Sequence, residues 1–367
     1  MSLALSAQYR CIKDATLSDG VAGKCGFILA DEHDVVNGSV TYSFSAPYGP
    51  PFAFVFGFRG VGCHYQCHIN PSKSYLALYE MRDGIRIYLH HIRINLPPRA
   101  TIAIVWDAHS LRLRVNNYTL MQALAFGPKS GRWGFAPLGK AFTLPKVTVA
   151  EGPPTQFDWV CVGDGFSNAR WMQRDFLSWP EIVFGESDKC LNACLGACNS
   201  KRASEIIDGL LPGLCGKSLI LTVGADDLYE GEDLNVFLNR TQLMLDRLAQ
   251  KNPKSVCLST LCPRSSALFE TQRWSNSIRE LASRNCIQLL DFHEWLKPNL
   301  SQLMVAGEYP GKAAQFVIAG KVARVLGIPS FTKPPNTLDS RRSLTQPRSR
   351  LFRRIQWHLR QWLEDPF

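Results

Sequence analysis

The feature that most constrains this chain is a change of rhythm near residue 152. Upstream, apolar and polar residues alternate in one short run after another, as in Phe52–Phe58, Tyr75–Tyr79, Ile85–Leu89, Thr101–Trp106 and Leu111–Val115. A period of two puts successive side chains on opposite faces of a strand. Asn37-Gly38, Asp83-Gly84, Pro97-Pro98 and Asn116-Asn117 separate the runs with turn chemistry. Because no long amphipathic helix interrupts them, residues 1–152 read as an all-β sandwich of the jelly-roll kind.

After a short linker at 153–157 the order becomes strand, loop, helix, which is the signature of a largely parallel sheet. Strands are expected at Trp159–Val162, Glu181–Phe184, Ser218–Val223, Ser255–Thr260 and Cys286–Leu290. Helices are expected at Ala203–Leu211, Asp233–Gln250, Ala267–Arg284 and Gly311–Leu326. This α/β unit spans 158–328. A tail at 329–367 follows, with an amphipathic helix expected over 350–363.

The 367 residues carry a net charge of +10, and 46% of them are hydrophobic. Lys333 and seven arginines face three acids between Pro329 and Phe367, so +5 of the excess sits in the tail. The folded body is therefore not expected to bind nucleic acid, whereas the tail suits an acidic partner. Arg350, Phe352, Arg353, Arg354, Trp357 and Trp362 are its candidate partner-binding residues, toward a protein partner in a larger assembly or an anionic membrane surface. No run reaches the ~18–20 apolar residues of a membrane span, and no secretory signal is visible at the start. Cys161, Cys257 and Cys286 lie in apolar runs where a thiol acts as a small hydrophobe. Reduced thiols and an intracellular compartment are the expectation, although the compartment itself stays open.

The second half carries a series of linked blocks. A strand runs into Gly163-Asp164-Gly165-Phe166-Ser167-Asn168, and Asn192–Asn199 holds Gly196. Gly224-Ala225-Asp226-Asp227 follows the third strand, and Thr260–Arg264, Asp291 and Ala306-Gly307-Glu308-Tyr309 complete the set. Their order and spacing resemble the SGNH (GDSL-type) esterase and acylhydrolase family. The resemblance implies a three-layer, flavodoxin-like α/β/α domain. In that family Gly-Asp-Ser supplies the nucleophile, a Gly and an Asn in the next blocks help bind the oxyanion, and a late Asp-x-x-His supplies the base. A serine hydroxyl is a weak nucleophile until a base takes its proton, and the developing oxyanion needs aimed donors. Here the nucleophile position holds Gly165, the oxyanion Asn position holds Asp226, and the Asp-x-x-His positions hold Ala306 and Tyr309.

With all of those side chains replaced, the expected function is that of a catalytically inactive SGNH-like protein acting as a binding or scaffold subunit. Asp164, Gly165, Gly196, Gly224, Asp226 and Tyr309 would line its residual ligand cleft. One alternative is an active carbohydrate-type esterase in which Ser167, with Asp227 and His293, restores a displaced catalytic set. The plainer reading makes Ser167 a helix N-cap and His293 a surface or capping residue.

Leu96–Arg99, Ile102–Asp107 and Ser110–Asn116 resemble the hairpin of concanavalin-like (laminin-G-like) jelly rolls, which implies glycan binding as a further alternative. Tyr65, Tyr75 and Trp133 are candidate sugar-stacking rings, or else core residues. Cys63-His64-Tyr65-Gln66-Cys67-His68 has metal-ligand composition. On one strand, however, its cysteines and histidines face opposite ways. No metal or cofactor is expected.

Overall fold

The computed structural model describes residues 9–12, 17–18, 21–22, 26–30, 36–45 and 49–329, apart from 94–95, 108–109, 125–129, 152–155, 169–176, 188, 197, 211–212 and 306–307. Most of the expected linker, residue Ala306 and all the tail residues numbered 350–363 lie outside that description.

Among the described residues fifteen strands come first: β1 Tyr9–Ile12, β2 Leu17–Ser18, β3 Val21–Ala22, β4 Phe27–Ala30, β5 Gly38–Ser45, β6 Phe52–Gly60, β7 Cys63–Asn70, β8 Tyr75–Arg82, β9 Ile85–Arg93, β10 Arg99–Trp106, β11 Ser110–Val115, β12 Tyr118–Leu124, β13 Arg132–Pro137, β14 Phe142–Thr143 and β15 Val147–Glu151. They form a seven-stranded sheet in the order β1-β4-β13-β6-β7-β8-β9, a five-stranded sheet β12-β11-β10-β5-β15 and a small sheet β14-β3-β2. Every pairing among them is antiparallel.

The two large sheets meet through the inward residues of the alternating runs. Phe56 of β6 stacks on Trp106 of β10 at 5.1 Å, and Phe54 lies against Trp133 and Phe135. The opposite row of β6, Ala53, Val55 and Phe58, joins Phe27, Leu29 and Ala136 in a separate outer cluster. Tyr65 and Trp133 are buried in the structure, so of the three candidate sugar-stacking rings only Tyr75 retains appreciable exposure.

The remaining elements are β16 Trp159–Gly163, α1 Gly165–Asn168, α2 Trp179–Phe184, β17 Cys190–Asn192, α3 Ser200–Leu210, β18 Ser218–Thr222, α4 Ala225–Glu230, α5 Leu234–Ala249, β19 Ser255–Ser259, α6 Leu268–Arg284, β20 Gln288–Leu290, α7 Phe292–Leu296, α8 Leu300–Leu303, β21 Met304–Val305, β22 Tyr309–Pro310 and α9 Lys312–Val325. Strands β17-β16-β18-β19-β20 make one parallel sheet. Val160, Val162, Leu219 and Leu221 pack with α3, α5 and α6, whereas Cys161, Ile220 and Cys257 pack with α2, α7 and α9. Both faces are therefore covered, and the strands read as continuous apolar runs for that reason.

Two expectations need correction. Residues 181–184 form the end of helix α2, and β17 takes the place of the strand expected there. The β-branched pair Ile182-Val183 favours a strand, but Ser178 and Glu181 close a capping box and Pro180 sits in the first turn. Cys286 is exposed, with φ +53°, in the turn before β20.

The hydrophobic core does not stop at residue 152. One buried cluster runs from Phe54 and Trp106 through Leu120 to Trp179, Ile182 and Ile318. Edge strand β12 lies along α2 and β17. Thr119 N donates to Gly185 O at 2.7 Å, Asn192 N donates to Gln122 Oε1 at 2.8 Å, and Tyr118 Oη donates to the carbonyl of Glu181 at 3.0 Å. No helix among the described residues is long and apolar enough to cross a membrane.

Candidate functional site

In an open parallel sheet the order reverses where the chain leaves the first strand for one neighbour and later returns on the other side, and a crevice opens outside the strand ends at that point. Here the reversal lies between β16 and β18. The motif blocks Asp164–Ser167, Ala193–Asn199 and Gly224–Asp227 converge there, with Thr260–Arg264 and Glu308–Tyr309 at one side.

Gly163 ends β16 at φ +157°, and a Cβ on it would lie 2.1 Å from both the carbonyl oxygen and Oγ1 of Thr222. The close approach lets Asp164 N donate to Thr222 O at 2.8 Å and turns the chain directly into α1. The Asp164 carboxyl accepts from Phe166 N at 3.1 Å. It is buried, and burial first, then the Asp226 carboxylate, pushes its pKa well above the usual carboxylate range. Gly165, which has no side chain, opens α1.

Ser167 is 1% exposed. Its hydroxyl donates to Thr222 Oγ1 at 2.9 Å and accepts from Trp179 Nε1 at 3.1 Å. It is an internal fastener between α1, β18 and α2, not the helix cap expected for it; Asp164 takes the capping bonds. His293 is likewise not at the surface. It is fully buried at the start of α7, its amide donates to Thr260 Oγ1, and among the described residues neither ring nitrogen has a hydrogen-bond partner. Glu294 Oε1 is 3.6 Å from its Nδ1, beyond hydrogen-bonding range. Burial, with the Arg279 charge, lowers its pKa. The structure thus does not join Ser167, Asp227 and His293 into a relay.

Asp227 is occupied too. Both its oxygens accept from Ser200 N, at 2.8 and 3.0 Å, and one also accepts from Ser200 Oγ, so it caps the N-terminus of α3. Asp226 reaches across the crevice to accept from Cys198 N at 2.7 Å. Burial pushes its pKa up to about 6; the Cys198 amide opposes this, and Glu230 and Asp227 add to it. The carboxylate thereby occupies an amide hydrogen that points into the crevice from the second block. Gly196 lies in the turn between Cys194 and Cys198, and Leu195 N donates to Gly163 O at 2.9 Å. Gly224 has φ +111°, and a Cβ there would press on Phe237 and Leu261. Tyr309 stands 6.0 Å from the ring of Phe166, half-buried, with its hydroxyl pKa raised by burial.

A pair the motif comparison passes over stands beside Tyr309. Arg264 forks onto Glu308 with Nε at 2.8 Å and a terminal nitrogen at 2.7 Å, and its guanidinium lies 5.7 Å from the centre of the exposed Tyr229 ring. Glu308 also accepts from Ser266 N at 3.2 Å. The sequence signal was an Arg closing the fourth block and a Glu just before Tyr309. Neither becomes legible until the fold sets them face to face.

The crevice is accordingly rich in carboxyls and thiols. Cys194, Cys198 and Cys262 are buried around Asp164, with pKa values raised by burial, so they stay protonated. Among the described residues no group of three or more His, Cys, Asp and Glu is arranged to hold a metal ion. On β7, His64 and His68 both bond to Gln66, at 2.7 and 2.8 Å, while Cys67 is buried in the core. Cysteines and histidines diverge as the strand period requires.

Asp226 supports a prediction with a definite sign. Its pKa lies above the 3.8 of an unperturbed Asp, so its contribution is fully present below about pH 4 and is lost as pH rises through about 6. Asp226→Asn keeps the acceptor for Cys198 N without the charge. By urea unfolding, the variant should be more stable than the parent by about 1–2 kcal/mol at pH 8, allowing for partial exposure, and equal to it at pH 4. A difference that stays constant between those pH values would show that the carboxylate is not under strain.

No family model matches the chain, and no curated protein matches it. Solved structures do resemble it. One is a lipolytic protein of the G-D-S-L family from Veillonella parvula, 15% identical, with a TM-score of 0.42, over 46% of this chain and 97% of that one. A putative lipolytic protein of the same family from Desulfitobacterium hafniense is 21% identical, with a TM-score of 0.41, over 46% and 98%. An acetylxylan esterase from Geobacillus stearothermophilus is 10% identical, also with a TM-score of 0.41, over 48% and 96%. Each likeness spans a little under half of this chain.

Proposed function

We propose that this protein is a non-catalytic SGNH-like chain that works by binding, as an accessory or scaffold subunit, with its strand-end crevice kept as a ligand cleft. The observation that carries this reading is how the crevice's own groups are used. Asp226 covers the Cys198 amide, Asp227 caps α3, and the Ser167 hydroxyl bridges Thr222 and Trp179. Ester hydrolysis needs a nucleophile with a base within about 3 Å and donors left open for the oxyanion. Ser167, Asp226 and Asp227 are each committed to holding the fold, and no hydrogen bond links the buried His293 ring to any of them.

The basic tail, with Arg350, Phe352, Arg353, Arg354, Trp357 and Trp362, is the proposed attachment to a larger assembly. Its charge suits an acidic surface.

The test is turnover of p-nitrophenyl acetate, acetylated sugars and acyl thioesters, together with labelling by a fluorophosphonate. Neither hydrolysis above the buffer rate nor covalent labelling is expected. Labelling of Ser167, or turnover that vanishes in Ser167→Ala while the fold survives, would establish the esterase alternative instead.

A further inference from the structure

The outer face of β7, β8 and β9 points away from the core shared by the two large sheets, and its composition is unusual. The register aligns Gln66 with Tyr79 and Tyr79 with Tyr88, and His68 with Ala77 and Ala77 with His91. Cross-strand neighbours of this kind share a face. Tyr79 is the hub. Its ring lies 4.4 Å from His68 and 5.4 Å from Tyr88, its hydroxyl bonds to that of Tyr75 at 3.1 Å, and Arg86 sits 5.5 Å above its ring. His91 continues the row, 5.2 Å from Tyr88 and 5.9 Å from Tyr75. The rings are half-buried and Arg86 is exposed.

No Asp or Glu occupies an outward position on these three strands, so Arg86 and, further along, Arg93 meet no carboxylate within that face. Burial and the nearby Arg86 hold His68 down at a pKa of about 4, which leaves it a neutral hydrogen-bonding group at physiological pH.

We propose that this face binds an acidic oligosaccharide, with the apolar side of a sugar ring on Tyr88 and a uronate carboxylate on Arg86, which Tyr79 supports from beneath. Tyrosine rings offer an apolar surface with a polar edge, which is what a pyranose presents in return. A guanidinium fork matches a carboxylate in two hydrogen bonds, and the neutral His68, whose Nε2 is bonded to Gln66, has Nδ1 left as an acceptor for a sugar hydroxyl. Two arginines are too few for a nucleic-acid backbone, whose affinity comes from neutralising many phosphates. The site is separate from the strand-end crevice and stands or falls independently of the non-catalytic reading.

The experiment is calorimetric titration of the full chain with a hexamer of galacturonic acid. Binding should weaken about tenfold in Tyr88→Ala, hold within about twofold in Tyr88→Phe, and weaken in Arg86→Gln with loss of salt dependence. Neutral xylohexaose should bind about tenfold more weakly than the acidic hexamer. Thermal melts of the variants check that each is folded. The proposal is overturned if the acidic hexamer shows no binding at millimolar concentration, or if folded Tyr88→Ala binds like the parent. It is also overturned if hexaglutamate binds equally well, which would show charge alone at work through the tail, or if oligothymidylate binds more tightly.

Discussion

Glu181→Ala should destabilise the protein by about 3–5 kcal/mol, the usual result of removing one partner from a buried, hydrogen-bonded charged group. Glu181 is 4% exposed and His90 is 1% exposed. One carboxylate oxygen accepts from Ser178 N and Oγ at 2.8 and 2.9 Å, which caps α2; the other bonds to His90 Nε2 of β9 at 3.1 Å. A single side chain therefore closes a helix end and ties that helix to the edge of the seven-stranded sheet. Truncation strips a partner from three buried donors at once, whereas Glu181→Gln keeps an acceptor and should be milder. Urea unfolding of the single and double variants with His90→Leu measures the coupling. If Glu181→Ala costs less than about 1 kcal/mol, the tie is not structural.

Gly163→Ala should cost at least about 3 kcal/mol, lowering the melting temperature by about 10 °C, because no relaxation of a side chain can relieve it. The added methyl would sit 2.1 Å from the backbone oxygen of Thr222, on the neighbouring strand. Moving that oxygen means moving β18, whose Thr222 holds Asp164 N and the Ser167 hydroxyl. Gly216→Ala is the matched control. That glycine has φ +67° but nothing within 4 Å of the added carbon, so only the conformational cost of about 1 kcal/mol applies. Equal melting temperatures for the two variants would mean that the β16–β18 approach is not tight.

Much of this could be read from the residues. The alternation of Phe52–Phe58 marked β6, and the apolar runs at Trp159, Ser218 and Ser255 marked three central strands of the parallel sheet. Helices α5, α6 and α9 fall within a residue or two of their expected limits. Local periodicity records which side of an element meets the core, so it survives without any knowledge of partners. Residues 181–184 were misread because β-branched composition outweighed a capping box four residues long. For Tyr65 and Trp133 the sequence leaves sugar stacking and core packing both open, and burial decides for the core, because a ring's exposure depends on what the opposite sheet places over it.

The candidate site divides in the same way. That Gly165, Asp226 and Tyr309 occupy the motif blocks, with no serine, asparagine or histidine at those positions, is a statement about residue identity, and the chain alone makes it. Only the tertiary structure decided what the remaining polar groups do: that Ser167 faces Thr222 and Trp179, that Asp226 covers the Cys198 amide, that Arg264 meets Glu308. Each of those pairs joins segments 12 to 55 positions apart. Order along a chain specifies which groups exist, but hydrogen bonds act over about 3 Å, and such distances between remote residues are set only when the layers have packed.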